Sequence, residues 1–113
     1  MSAVTVIIQL PTNDAATLEK TINESSLSAT IRDSALGYGL LAHRFVSGPQ
    51  GCAVIDQWPD EATFRQFFTA NETRIRQMLA PVMPAQTDPL ITVYQNLSTN
   101  DQYPDGSGTR TSH

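Results

Sequence analysis

A chain of 113 residues with 40% hydrophobic and 16% charged positions has the length and make-up of one folded domain, which excludes a disordered segment. Its net charge of −4, with Lys20 the single lysine and the arginines scattered, lacks the clustered cations that nucleic acid requires. Cys52 is the sole cysteine, so neither an intrachain disulfide nor a cysteine-built metal site is available.

The first eleven residues, MSAVTVIIQLP, carry no basic leader, and no apolar run approaches the ~20 residues of a membrane span. The expectation is a cytoplasmic protein with no membrane partner. Val4 to Leu10 is β-branched and almost unbroken in its apolarity, the pattern of a central strand covered on both faces, and Pro11 stops it. Thr12, Asn13 and Asp14 offer side-chain oxygens to the unpaired amides of a helix start. Ala15, Leu18, Ile22 and Ala29 then share one helical face, and the serine-rich stretch Glu24 to Ser28 is where that helix would fray or break. Gly37-Tyr38-Gly39 leads into a second strand, Leu40 to Val46; Ser47 to Gly51 is a turn cluster; Cys52 to Trp58 is a third strand. Two strands so closely joined form an antiparallel hairpin.

Pro59 ends the third strand, Asp60 stands at the N-cap of the next helix, and Pro59 with Phe64 occupies hydrophobic-staple positions. Phe64, Phe67, Phe68, Ile75, Met78 and Leu79 hold one face until Pro81 and Pro84. Leu90 to Leu97 is a fourth strand, and Ser98 to His113, without apolar period, is a loose tail. The order strand-helix-strand-strand-helix-strand is the ferredoxin-like βαββαβ pattern: an α+β domain over residues 1–97, with one four-stranded antiparallel sheet and helices on one face. The other face carries apolar residues such as Ala53 and Ile55, as expected if a second copy of the chain covers it.

GYGLLAHRF, a Gly/Pro turn, and then AVIDQWPDEATFRQFF form a strand-Trp-acidic turn-helix passage. Through this passage the chain resembles the dimeric α/β-barrel superfamily that includes the antibiotic-biosynthesis monooxygenases, over about residues 4 to 97. The resemblance implies a homodimer whose sheets pair into a barrel, and a pocket between each sheet and its own helices. It implies a cofactor-independent oxygenase of quinol-like molecules, and a Trp58 that faces the pocket. Haem-degrading members carry an Asn in the first strand and a His in the second helix; the matching positions here are Val6 and Phe67 or Phe68. Neither haem, another cofactor nor a metal is therefore expected.

Hairpin register decides whether polar chemistry has a site. With Pro49-Gln50 as a two-residue loop, or Gly48 to Gly51 as a four-residue one, Ser47 lies opposite Cys52, Phe45 opposite Val54 and His43 opposite Asp56. Leu41 then lies opposite Trp58. This register gathers the large side chains on one face, with His43 and Asp56 among them; a shift of one residue splits the set. A carboxylate beside an imidazole fixes its tautomer and raises its basicity, the arrangement of a general base. The plain alternative is a structural cross-strand pair.

Trp58 is either a pocket wall whose N–H reaches a ligand oxygen or a core tryptophan at the sheet-helix junction. Asn71 interrupts the apolar stripe, either to bind a ligand or to cap a helix break before Glu72. Phe45, Phe67 and Phe68 are expected to shape the site, and Tyr38 and Tyr94 are lesser candidates for a pocket phenol. Together these residues point to a small monooxygenase-like enzyme acting on a hydrophobic aromatic or polyketide-like molecule, with His43 and Asp56 as its base. An isomerase or cyclase would begin with the same proton abstraction, and a non-catalytic ligand-binding or structural dimer would use the same fold without it.

Overall fold

The structure, a computed structural model, describes residues 3–84 and 86–101. Four strands, β1 (Val4–Gln9), β2 (Ala42–Gly48), β3 (Gly51–Trp58) and β4 (Leu90–Gln95), form one antiparallel sheet in the order β2-β3-β1-β4. Three helices, α1 (Ala15–Glu24), α2 (Leu27–Gly37) and α3 (Glu61–Leu79), lie on one face. This is the expected ferredoxin-like α+β architecture, with the first helix split in two. Among the described residues no helix is long and apolar enough to cross a membrane. The tail expected from Ser98 falls mainly on residues 102–113, outside the described residues; 98–101 are exposed and in neither helix nor strand.

The serine-rich break has a local cause. Ser25 leaves helical geometry with ψ at 131°, and its Oγ accepts the Leu27 N–H at 3.1 Å. The Ser28 hydroxyl donates to the Ile22 carbonyl at 2.6 Å. Serine oxygens thus replace helical partners on both sides of the break, the competition that disfavours serine inside helices. Past the break, Leu27, Ile31 and Ala35 recur every four residues and turn α2 onto the sheet.

Both long connections begin with an aspartate cap. Asp14 Oδ1 accepts the Thr17 N–H at 3.1 Å, and Asp60 Oδ1 accepts the Thr63 N–H at 2.7 Å. The Thr63 amide, and then its hydroxyl, hold the Asp60 carboxyl below the ordinary carboxylate range. A carboxylate with a lowered folded pKa stabilises above its unfolded value and loses that contribution as pH falls through the folded one. Asp60→Ala is therefore expected to lower Tm at neutral pH, and the gap to the parent protein closes in acid below the carboxylate range. Thermal melts of both proteins at pH 7 and at strongly acid pH check this.

The hairpin register is the expected one: His43 pairs with Asp56, Phe45 with Val54 and Ser47 with Cys52, around a turn at Pro49-Gln50. The turn is tied to the end of β1. Cys52 exchanges backbone hydrogen bonds with this segment, its N–H donating to Thr12 O at 2.8 Å and its C=O accepting from Leu10 N at 3.0 Å. Gly51 has φ +105°, and a Cβ there would lie 2.8 Å from the Thr12 carbonyl oxygen. Gly51→Ala thus meets both a left-handed backbone and a clash with main chain, and is expected to cost about 1–3 kcal/mol in chemical denaturation.

The strand pairings sort the side chains into two faces. Val4, Val6, Cys52, Val54, Asp56 and Trp58 point at the helices and are buried. Ile7, Ile55 and Tyr94 lie on the opposite face, where Ile55 and Tyr94 are exposed. Beneath the helices there are two packed clusters. One gathers Leu10, Leu18, Cys52, Val54, Met78, Leu79, Val82 and Met83; the other gathers Val4, Val6, Ala35, Trp58, Phe64 and Phe67. Ile8, Ile31 and Ile75 touch both.

Candidate functional site

Between the sheet and the helices lies a cavity of about 650 Å³, inside the ~300–1,000 Å³ range of small-molecule sites. Val54, Phe45 and Ile8 form its floor, Ile31, Ala35 and Leu36 its α2 wall, and Phe67, Phe68, Ile75 and Met78 its α3 wall. His43 is among the residues that line it. The lining is apolar but for a few groups, which include His43, Asp56, Asn23, Ser28, Arg32 and Arg76.

His43 and Asp56 are brought together as the register requires. His43 Nδ1 lies 2.6 Å from Asp56 Oδ1. The two side chains differ sharply in setting: Asp56 is 5% exposed, while the His43 side chain keeps 42% of its surface. The edge position of β2 explains the difference, because β3 has neighbours on both sides and β2 has one. Phe45 meets the His43 ring edge-on, with centroids 5.0 Å apart. A carboxylate only accepts hydrogen bonds, so Nδ1 carries the hydrogen between them and Nε2 is the ring nitrogen left for a ligand.

Trp58 is fully buried, packed between Phe64 and Phe67 at centroid distances of 5.8 and 5.0 Å. Its ring is among the cavity's lining, and its N–H is engaged within the protein: Nε1 donates to Asp56 Oδ2 at 3.2 Å. Sequence reading missed this bond, although the i, i+2 spacing of Asp56 and Trp58 on one strand is the signal that puts both on one face. Leu41 lies outside β2, which starts at Ala42. Its amide donates to Gln57 O at 2.9 Å and its side chain is exposed at the cavity's edge rather than set against Trp58.

Three expected contacts are not made at the cavity. Asn71 is buried in an unbroken α3, where its amide nitrogen donates to Ser34 Oγ at 2.8 Å and to Phe67 O at 3.1 Å, and its oxygen accepts from Arg74 at 3.2 Å. It ties α2 to α3; it neither caps a break nor reaches the cavity, because every polar atom is already engaged. Tyr94 pairs with Thr5 and so points away from the helices, 54% exposed. Tyr38 follows α2 and meets Phe67 edge-on at 6.2 Å, outside the large cavity.

Arg76 was not singled out by its sequence context. Its guanidinium donates to Asp88 Oδ1 at 2.6 Å, to Glu72 Oε2 at 3.1 Å and to Thr87 O at 3.2 Å. The hydrogen bonds it donates to Asp88 and then to Glu72 push its already high pKa further up. Two carboxylates offset the charge, so at the cavity Arg76 fastens the segment before β4 to α3 and offers little net field to an anion.

Family models give no match to this chain, and no curated protein matches it. Solved structures do. A conserved protein of Methanosarcina mazei Go1 superposes with a TM-score of 0.60 at 15% identity, covering 86% of this chain and 95% of that one. A monooxygenase of Streptomyces coelicolor, ActVA-Orf6 in complex with Nanaomycin D, gives 0.58 at 21% identity, covering 87% and 89%. Rv0793 of Mycobacterium tuberculosis gives 0.56 at 10% identity, covering 88% and 99%. What these likenesses establish is the shared fold, the one implied by the strand-Trp-helix passage.

Proposed function

We propose that this chain is a small monooxygenase-like enzyme that works without a cofactor on a hydrophobic aromatic or polyketide-like molecule. The observation that carries the reading is the 2.6 Å contact of His43 Nδ1 with buried Asp56, on the wall of a cavity of about 650 Å³. The shared fold with a monooxygenase held in complex with Nanaomycin D supports the same class of substrate.

The chemistry follows from what the cavity offers. His43 Nε2 takes a proton from a phenol, or from a methylene flanked by aromatic rings, and the resulting imidazolium is stabilised by Asp56. Apolar walls leave the substrate anion poorly solvated and electron-rich toward dioxygen. For a methylene the balance is CH2 plus O2 giving C=O plus H2O, so one oxygen atom enters the product and the other leaves as water. Phe45, Phe67, Phe68 and Trp58 provide flat apolar surface for a ring system. The exposed sheet face with Ile7, Ile55 and Tyr94 suits a homodimer that closes the barrel, and the setting is cytoplasmic secondary metabolism.

Oxygen consumption with anthrone- and hydroquinone-type probes tests the reading. Enzyme-dependent uptake of one O2 per product, with one oxygen atom carried into that product and water released in place of hydrogen peroxide, supports it. A chain that binds these probes but consumes no oxygen, or rearranges them without it, removes the oxygenase and leaves a binding protein or an isomerase respectively.

A further inference from the structure

Asp56 carries two oxygens and both are taken by protein donors: Oδ1 by His43 Nδ1 at 2.6 Å and Oδ2 by the Trp58 indole N–H at 3.2 Å. A buried carboxylate with one donor can rotate about its last bond and swing its oxygens out of line with the imidazole, which then no longer has a fixed acceptor at Nδ1. With the indole fixed between Phe64 and Phe67, that rotation costs the second hydrogen bond. We infer that Trp58 is a positioning residue for the base: its N–H locks the Asp56 carboxylate so that His43 is held in the Nδ1–H tautomer, with Nε2 open to the ligand.

The inference rests on the proposed role of His43, and it changes what the site is. Asp56 is buried and both its oxygens already accept from protein donors, so the half-exposed His43, through Nε2, is the group placed to exchange protons with the ligand at this end of the cavity. The tryptophan contributes a flat wall through its ring and orientation through its nitrogen. The other charged side chains facing the cavity are Arg32 from α2, paired with Asp33 at 3.5 Å, and Arg76 from α3, paired with Asp88 and Glu72; α1 presents neutral Ile22 and Asn23. None of these is hydrogen-bonded to the imidazole or the carboxylate, so no other charged group takes the place of the indole.

Trp58→Phe keeps an aromatic wall and removes the donor. Histidine 15N shifts read the tautomer of His43 directly, without any substrate. The parent protein is expected to show the Nδ1–H form, and Trp58→Phe a mixture with the Nε2–H form. Where turnover is measurable, kcat falls by about 10-fold with KM little changed, the low end of what outer partners of a functional histidine contribute, since Trp58 acts through two hydrogen bonds. An unchanged tautomer in folded Trp58→Phe overturns the inference, whatever the rate does. A shifted tautomer with an unchanged rate leaves the positioning intact and removes His43 as the base. Should Trp58→Phe fail to fold, His43→Gln supplies the measurement: the Trp58 indole N–H resonance is expected to differ between it and the parent protein, through the shared carboxylate. An indole resonance indifferent to that replacement overturns the inference equally.

Discussion

Replacing His43 by alanine is expected to lower kcat by about 10²- to 10⁴-fold, the range supplied by a positioned general base. The cost in stability is expected to be only about 1 kcal/mol. The imidazole is half-exposed on an edge strand, so water takes its place beside Asp56 Oδ1 when it is removed. His43→Gln separates base from shape, because glutamine can still donate to the carboxylate but cannot take a proton at neutral pH. Both variants are expected to be equally slow. Steady-state oxygen uptake and a thermal melt on each protein decide the matter; an active His43→Gln would make the residue a hydrogen-bonding contact and not a base.

The largest expected loss of stability lies elsewhere. Phe64 is completely buried, against Trp58 at 5.8 Å and Phe68 at 5.9 Å. Phe64→Ala removes a ring that neighbours cannot refill, and should cost about 3–5 kcal/mol. Against a total stability of ~5–15 kcal/mol for a domain of this kind, that is a large share. The same substitution frees the indole on one side, so activity should fall before unfolding begins. Denaturant titration followed by Trp58 fluorescence measures both: a lower midpoint, and a changed emission from the still-folded protein. A midpoint shift corresponding to less than about 1 kcal/mol would mean that α3 closes the gap by moving, contrary to this packing.

Local features were legible in the residues, and long-range ones were not. The His43–Asp56 pairing could be read because a two-residue turn fixes it between residues only 13 positions apart, and the large side chains choose the same register. The helix break could be read because serine competes for backbone hydrogen bonds wherever it occurs. Asn71 was misread for the opposite reason. Its partner Ser34 is 37 positions away on a helix whose angle depends on that same break. Tyr94 stayed open between a pocket phenol and sheet surface because β4 takes its register from β1, at the far end of the chain. Trp58 was half read: the ring is where spacing put it, while the N–H found a partner two residues back on its own strand.

One turn has a wider consequence. The proposed base, His43, and the two residues that orient it, Asp56 and Trp58, all sit on a single hairpin, and their relative placement depends on the loop at Pro49-Gln50. The three are in that sense a cassette on one contiguous piece of chain. Substitutions throughout α1 leave its spacing alone, whereas one residue inserted into the loop would turn the imidazole to the far side of the sheet. Related chains that keep the fold but differ in the length of this one loop would therefore differ in chemistry, and loop length is the first character by which to sort them.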